Sequence, residues 1–282
     1  MIQLIECPRD AMQGWPHEIP TQKKINYLNA LLQVGFDTLD FGSFVSPKAI
    51  PQMADTAKVL EGLNLEGSAT KLLAIIANLR GAEEAAQHEQ ITYLGFPFSI
   101  SSTFQQRNTG STPMESMARI ETIQEVCLKK NKQLVVYLSM AFGNPYGDAY
   151  NDEILLNWAD EMAKREITII SLADTVGLAT PKQIRFALET LMPKYPGISI
   201  GVHLHSSDKT KLEKLEAAWN AGCKRFDGAL KGYGGCPMAQ DDLVGNMATE
   251  FMIRFFESKK EVLPIDKEKL ETCFLLAAEI FS

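Results

Sequence analysis

Long hydrophobic runs are missing from this 282-residue sequence, and no apolar stretch approaches the length of about 18 residues that a membrane-spanning helix needs. The N-terminus, MIQLIECPRD, passes from a short apolar run directly into charge, without the features of a signal peptide. Blocks of Lys and Arg are also missing, and the formal net charge is −7. We therefore expect a cytoplasmic protein whose partners include neither membranes nor nucleic acid.

Closely spaced cysteine pairs are absent as well. The sequence has five cysteines, an odd number, at positions 7, 127, 223, 236 and 273, and none of them forms a Cys-x-x-Cys pair. This spacing argues against a disulfide framework and against a thiolate zinc site. We expect free thiols.

Histidine is scarce, with four in the chain, yet two of them, His203 and His205, lie in one short apolar run, GVHLHSS. Side chains two positions apart on a strand point to the same side, so both imidazoles share a target. The pair is consistent with the solvated rim of a strand and with a metal site. The rest of the chain has to decide between these readings.

Short β-rich runs alternate with helical patterns along the whole chain. Strands are predicted at 2–6, 37–42, 72–76, 91–96, 134–139, 167–172, 198–205 and 225–230. Between them, apolar residues recur at helical spacing, and a further helix is predicted at about 266–281. We predict one α/β domain over 1–282, a (β/α)8 TIM barrel with an added C-terminal helix. An open doubly wound sheet fits the same alternation.

Polar residues follow most of the predicted strands, where the βα loops of a barrel gather. They are Glu6 to Asp10, Asp40, Ser43, Asn78, Ser139, Asp174, His203 and His205. Each of them alone could cap a helix or form a turn. Their convergence with two histidines at one end of a barrel favours a functional site.

Asp10 would complete a mixed nitrogen and oxygen ligand set with His203 and His205, which suits a divalent ion with open positions for substrate. We favour Mg²⁺ or Mn²⁺. Asn246, in GNMATE, would either cap a helix or act as a fourth ligand. Arg9 would be either an ion-pair partner or a donor to an enolate oxygen.

The segment KGYGGCP places Cys236 behind several glycines, which permit a mobile or strained backbone. A buried spare thiol is the usual fate of a free cysteine. On a glycine-rich loop after the last strand, however, Cys236 could also close over a ligand and deliver a proton.

These residues stand in motifs that resemble those of the hydroxymethylglutaryl-CoA lyases, a metal-dependent branch of the TIM barrels. The motifs are PRDAMQ at 8–13, SFVSPKAIPQMAD at 43–55, ANLRG at 77–81, SLADTVGLATP at 171–181, VHLH at 202–205 and GGCPMAQ…GNMATE within 234–250. The second and the last are the specific ones. The resemblance extends over nearly the whole chain.

The resemblance implies a role for each matching residue. The implied metal ligands are Asp10, His203, His205 and Asn246. It further implies that Arg9 stabilises the enolate, that Cys236 takes part in acid–base steps, and that Asp174 is an active-site aspartate.

The implied reaction is the retro-Claisen cleavage of 3-hydroxy-3-methylglutaryl-CoA to acetyl-CoA and acetoacetate. The group that removes the hydroxyl proton could be Asp10, His205 or a metal-bound water. The resemblance also implies a homodimer and suggests a role in leucine degradation.

Several positions depart from the family pattern. Asp40 stands where the family has Glu, which shortens the reach of the carboxylate by about one methylene. Pro16 stands where the family has a lysine linked to the CoA moiety. Asn144 stands where the family usually has a cysteine. After the histidines, HSSDKTKLEKLEAAW replaces the family's HDTYGQALAN. These changes bear mainly on substrate identity, and Lys48 and Arg107 are predicted to help bind the CoA phosphates.

Two other readings are compatible with the sequence. One is an aldolase or an acyl-CoA condensing synthase of the same superfamily. The other is a barrel that binds metal and ligand without turnover. The altered segment after His205 supports this second reading.

Overall fold

Eight parallel strands close into a barrel in the computed structural model, which describes residues 1–235 and 244–282. The strands are β1 (Gln3–Glu6), β2 (Thr38–Ser43), β3 (Lys71–Ile75), β4 (Ile91–Ser99), β5 (Gln133–Ser139), β6 (Ile169–Asp174), β7 (Ser199–Leu204) and β8 (Arg225–Gly228). Each strand pairs with the next along the chain, and β8 pairs with β1. The predicted (β/α)8 barrel is confirmed, and the open doubly wound sheet is wrong.

Helices follow every strand and surround the barrel. They are α1 (Pro8–Gln13), α2 (Thr21–Leu32), α3 (Thr56–Glu61), α4 (Leu79–Ala85), α5 (Ser102–Thr109), α6 (Pro113–Lys129), α7 (Asp152–Lys164), α8 (Pro181–Lys194), α9 (Lys211–Asn220), α10 (Thr249–Ser258) and α11 (Lys267–Ile280). Helix α11 confirms the added C-terminal helix, and it packs against α2.

The starts of several helices are set by local sequence. In α6 and α8 a threonine N-cap and a Glu or Gln three residues later form a capping box, with proline in the first turn. Asn151 and Asp266 cap α7 and α11 through their side-chain oxygens. The Asp266 cap explains why the C-terminal helix predicted at about 266–281 agrees closely with α11.

The apolar core has two layers, because side chains on each strand alternate between the barrel interior and the surrounding helices. The interior layer consists of Leu73, Ile75, Tyr93, Val135, Tyr137 and Ile169, and the larger outer layer lies between strands and helices. Four of the five cysteines lie in the described residues, and all four are buried free thiols, as predicted. Cys236 lies outside the described residues.

No helix in the described part of the chain combines the length and the apolar character needed to cross a membrane.

Candidate active site

A cavity of about 490 Å³ opens at the carboxyl ends of the strands. Its lining includes Arg9, Asp10, His203 and His205, which come from two distant segments of the chain. Further lining residues include apolar ones such as Ile75 and Phe104 and polar ones such as Ser139. A concave, mainly apolar pocket with a few convergent polar groups is the usual form of a small-molecule site.

The first turn of α1 brings Arg9 and Asp10 to the mouth of the barrel, since α1 begins only two residues after β1 ends. Asp10 is 6% exposed. Its Oδ1 accepts hydrogen bonds from Arg9 Nη1 at 3.1 Å and from Gln13 Nε2 at 2.8 Å. Burial raises the pKa of Asp10, but the charge of Arg9 opposes this and, with the histidines, lowers it to about 2. Asp10 is therefore a carboxylate at neutral pH.

Arg9 is held in one orientation by Asp40 on β2. Arg9 Nη2 donates to Asp40 Oδ2 at 2.5 Å, and Nε lies 3.1 Å from the same oxygen. Burial raises the pKa of Asp40 to about 6 despite the neighbouring guanidinium. Two carboxylates thus fix a buried guanidinium in place, because the fork of donors in arginine matches a carboxylate edge.

The two histidines converge as the alternation on β7 predicts. His203 Nε2 lies 3.2 Å from His205 Nε2, and both rings are buried. His203 is opposite Asp227 in the β7–β8 register, and its Nδ1 lies 3.3 Å from Asp227 Oδ2. This contact favours the tautomer with the proton on Nδ1, which leaves the Nε2 lone pair for a metal. Burial lowers the pKa of His205 to about 4, so its ring is neutral at pH 7.

Asn246 reaches the cluster because its backbone pairs with the end of β7. It forms an isolated bridge with His205, and Met247 N–H donates to the Leu204 carbonyl at 3.0 Å. Its side-chain Nδ2 donates to Asp10 Oδ2 at 2.7 Å. Helix α10 begins at Thr249 with Ala248 as its N-cap, so the alternative that Asn246 caps this helix is wrong.

The donor set fits a divalent cation. One ligand atom each from Asp10, His203 and His205 lies within 4.8 Å of the others. Two ligands at adjacent positions around a metal, each about 2.1 Å from it, are separated by about 3 Å, which is the spacing of the facing histidine nitrogens. Two imidazoles and a carboxylate leave positions open for substrate.

The structure places other predicted residues away from the cluster. Asp174 is buried, and its carboxylate accepts hydrogen bonds from Lys214 Nζ at 2.7 Å and from the Ala179 N–H at 2.9 Å. Lys48 and Arg107 are exposed, and the Arg107 guanidinium lies over the ring of Tyr146 at 4.5 Å. Of these predicted residues, none lines the cavity.

Sequence reasoning missed several residues that support the site. Asp227 follows from strand register alone, because it lies beside His203 on the neighbouring strand. Gln13 was visible at the end of PRDAMQ, one helical turn after Asp10. Lys214 interrupts the inward face of α9, where Leu215 and Ala218 are buried. A lysine at an inward helical position is an unusual signal, since lysine is rarely buried without a partner.

Comparisons with known proteins identify the family of this chain. The sequence model of the HMGL-like family matches residues 2–279. The hydroxymethylglutaryl-CoA lyase of Bacillus subtilis is 32% identical over 266 residues, covering 93% of this chain and 87% of the relative. The (R)-citramalyl-CoA lyase of Chloroflexus aurantiacus is 29% identical over 259 residues, covering 89% of this chain and 81% of the relative.

A solved structure shows the same fold. The HMG-CoA lyase of Acinetobacter baumannii, in complex with coenzyme A and 3-methylmalate, superposes with a TM-score of 0.89 at 31% identity. The match covers 97% of this chain and 88% of that chain. The extent of the family match and the identity to the B. subtilis relative lead to one conclusion. This chain belongs to the HMGL-like family and is a carbon–carbon lyase.

Proposed function

We propose that this protein cleaves 3-hydroxy-3-methylglutaryl-CoA to acetyl-CoA and acetoacetate with the help of Mg²⁺ or Mn²⁺. The observation that carries the proposal is the convergence of Asp10, His203 and His205 in one cavity that Arg9 also lines. Relatives named as lyases of CoA thioesters support this substrate class.

Asp10, His203 and His205 would hold the metal, with the Asn246 amide oxygen as a fourth ligand once its side chain is turned. When bound, a divalent cation supplies Lewis acidity that makes the tertiary hydroxyl of the substrate more acidic. Asp227 keeps the Nε2 lone pair of His203 directed to this point through the contact at Nδ1.

Arg9 would stabilise the enolate that forms when the carbon–carbon bond breaks. Its hydrogen bonds to Asp40 and Asp10 fix the plane of the guanidinium before substrate arrives. A donor that is already oriented needs no reorganisation as negative charge develops on the thioester oxygen, so its stabilising effect is retained in the transition state.

Two described groups could accept the hydroxyl proton. Asp10 is a carboxylate and His205 a neutral imidazole at pH 7, since their pKa values are about 2 and about 4. Cys236 would protonate the carbon of the enolate. Although Cys236 lies outside the described residues, Gly234 lies against this cluster. A Cβ on Gly234 would come within 2.7 Å of Asn246 Nδ2 and 2.8 Å of the Asp10 carbonyl oxygen.

Lys48 and Arg107 would bind the CoA phosphates at the mouth of the cavity. Both are exposed, and their chain neighbours Ala49 and Asn108 line the cavity. Phosphates on a substrate that enters with its acyl end first would lie at such a rim. Asp174 does not line the cavity, so it would act on the site indirectly, through its ion pair with Lys214.

Product analysis tests the proposal. Purified protein is incubated with hydroxymethylglutaryl-CoA, with EDTA and with added Mn²⁺, and acetyl-CoA and acetoacetate are quantified. We expect both products in equal amounts, loss of activity with EDTA and recovery with Mn²⁺. Cleavage that continues at an unchanged rate in EDTA would contradict the metal-dependent reaction.

Two further substrate sets distinguish the alternatives. Citramalyl-CoA tests the activity for which the C. aurantiacus relative is named. Acetyl-CoA with 2-oxo acids tests a condensing synthase. Tight acyl-CoA binding without any product over a long incubation would favour a non-catalytic barrel.

A homodimer in the cytoplasm that serves leucine degradation is the accompanying proposal. Light scattering coupled to size-exclusion chromatography measures the assembly, for which twice the chain mass is expected. Deleting the gene and following growth on leucine tests the pathway.

A further inference from the structure

Lys214 on α9 is a buried lysine that enters the proposed mechanism only as the ion-pair partner of Asp174. It is 1% exposed, although the residues around it in the sequence, KLEKLE, are mostly typical of a solvated helix. Burying an ammonium ion is costly unless the charge is paired and its donors are satisfied. Its partners therefore indicate what its position achieves.

All three N–H donors of Lys214 have acceptors. Nζ lies 2.7 Å from Asp174 Oδ2, 2.8 Å from the Gly177 carbonyl oxygen and 2.9 Å from the His205 carbonyl oxygen. These acceptors belong to the end of β6, to the loop after β6 and to the residue after β7. One cation thus joins two neighbouring strand ends and a loop.

The contact with His205 matters most, because His205 is a predicted metal ligand. A second backbone contact of this residue is its bridge to Asn246. Lys214 holds His205 from the side of the helices, while Asn246 pairs with it at the mouth of the barrel. Ligands have to be held to within about 0.5 Å for a metal site to keep its geometry.

We propose that Lys214 is a positioning residue for the metal centre, which holds the backbone of His205 so that its ring faces His203. The inference rests on the proposed metal-dependent function. It also gives a role to the segment after His205 that departs from the family pattern, since this segment supplies the lysine.

A second buried lysine provides a matched control. Lys24 on α2 is 4% exposed, and its Nζ donates to Asp55 Oδ1 at 2.7 Å and to the Gln52 carbonyl oxygen. Lys24 and its partners do not line the cavity. Lys24→Met therefore removes the same kind of buried ion pair without touching a predicted ligand.

The test measures the dissociation constant of Mn²⁺ alone by titration calorimetry, and thermal unfolding, for wild type, Lys214→Met and Lys24→Met. Both variants should unfold at lower temperature. Only Lys214→Met should weaken Mn²⁺ binding, by about tenfold or more, as for other outer partners of metal ligands. Unchanged Mn²⁺ affinity in Lys214→Met, or an equal loss in both variants, would overturn the inference.

The double variant Lys214→Met/Asp174→Asn covers the case in which Lys214→Met does not fold. It removes the Asp174 carboxylate, which would otherwise be buried without a cation beside it. We expect it to recover stability while Mn²⁺ binding stays weak, because the bond to the His205 carbonyl is still missing. Wild-type Mn²⁺ affinity in the double variant would refute the role of Lys214. Wild-type protein that binds no Mn²⁺ would refute the metal centre and this inference together.

Discussion

The two ends of the barrel carry cavities of nearly equal size but of different chemistry. The cavity at the carboxyl ends of the strands measures about 490 Å³, and a groove at the amino ends, near the starts of β1, β2 and β3, measures about 500 Å³. The carboxyl-end cavity gathers two histidines, an aspartate and two arginines, Arg9 and Arg119. The amino-end groove is lined by apolar residues such as Leu4 and Phe36 and by two residues of opposite charge, Asp37 and Lys269, and no histidine of the described residues lines it.

The difference shows that volume does not identify the site. A barrel has two open ends, and helices that do not fully cover either end leave space at both. Only the carboxyl ends of the strands lead directly into the segments that carry Asp10, on α1, and Asn246, before α10. The feature that distinguishes the carboxyl end is therefore a cluster of possible metal ligands, Asp10, His203 and His205, from separate elements.

The largest expected effect comes from removing a carboxylate at the carboxyl end. Asp10→Asn should weaken Mn²⁺ binding by on the order of a hundredfold or more and abolish most product formation, because two imidazoles alone hold the cation poorly. Asp37→Asn is the matched control, since Asp37 lines the amino-end groove and accepts a hydrogen bond from Gln3 at 3.2 Å. Titration calorimetry measures both variants. Equal losses of Mn²⁺ affinity in the two variants would contradict a metal site at the carboxyl end.

Arg9→Gln separates catalysis from metal binding at the same end. We expect kcat to fall by on the order of a hundredfold, because the donor that stabilises the enolate is lost, while the Mn²⁺ dissociation constant stays near that of wild type. Steady-state kinetics and Mn²⁺ titration give the two quantities. A kcat close to that of wild type would show that the enolate assignment is wrong.

A second variant separates an effect on turnover from a loss of stability in Arg9→Gln. Removing Arg9 leaves Asp40 buried without its partner, which costs about 3–5 kcal/mol in comparable pairs. Arg9→Gln/Asp40→Asn removes that charge and should recover part of the stability. Turnover should stay low, and its return would point to a structural role for Arg9.

Two glycines with nearly the same φ, one at each end of the barrel, allow a further test of the difference between the ends. Gly234 at the carboxyl end has φ of +97° and Gly35 at the amino end has φ of +99°. Alanine at either position should lower the free energy of unfolding by about 1–3 kcal/mol, from the unfavourable φ. A Cβ on Gly234 would press on Asn246 and Asp10, and one on Gly35 would clash with the Pro264 carbonyl.

Only Gly234→Ala should therefore weaken Mn²⁺ binding, although both variants unfold at lower temperature. Differential scanning calorimetry and Mn²⁺ titration on the two proteins provide the measurement. If Gly35→Ala lost Mn²⁺ affinity to the same degree, general destabilisation would explain both results.

The smallest expected effect on the active site comes from Glu6, which accepts hydrogen bonds from Thr249 and Leu230 rather than from a predicted metal ligand and should change only the pH dependence of stability. Burial raises the pKa of Glu6 from its ordinary value of 4.5 to about 8, although Thr249 and the Leu230 N–H donate hydrogen bonds to it. The folded state therefore holds this proton more tightly than the unfolded state. Its stabilising effect is fully present below about pH 4.5 and is lost as pH rises through about 8.

Glu6→Gln should flatten this decline, so that the unfolding temperature changes less between pH 5 and pH 9 than in wild type. The expected difference is about 2–4 °C for each kcal/mol of stability involved. Glu66→Gln, at an exposed position, is the control and should follow the wild-type curve. Parallel curves for wild type and Glu6→Gln would show that Glu6 does not titrate in this range.

The periodicity of the sequence predicted the barrel well, because the two relevant patterns are local. Alternating strand and helix segments, capping residues such as Thr180 and the helix at the C-terminus are all readable from neighbours in the chain. The facing histidines could also be predicted, since the alternation along one strand requires only His203 and His205. The resemblance to a family then indicated Asp10 and Asn246 as their partners.

The supporting contacts depended on the tertiary structure. That Asp227 lies beside His203 follows from the register of two strands, and that Lys214 reaches the His205 carbonyl follows from how α9 packs on the barrel. Asp40 binding Arg9 and the pairing of residue 246 with the end of β7 are likewise contacts between distant segments. Local sequence encodes conformation and the direction of a side chain. The distance between atoms on different elements is decided only when those elements pack together, because packing sets register, tilt and depth.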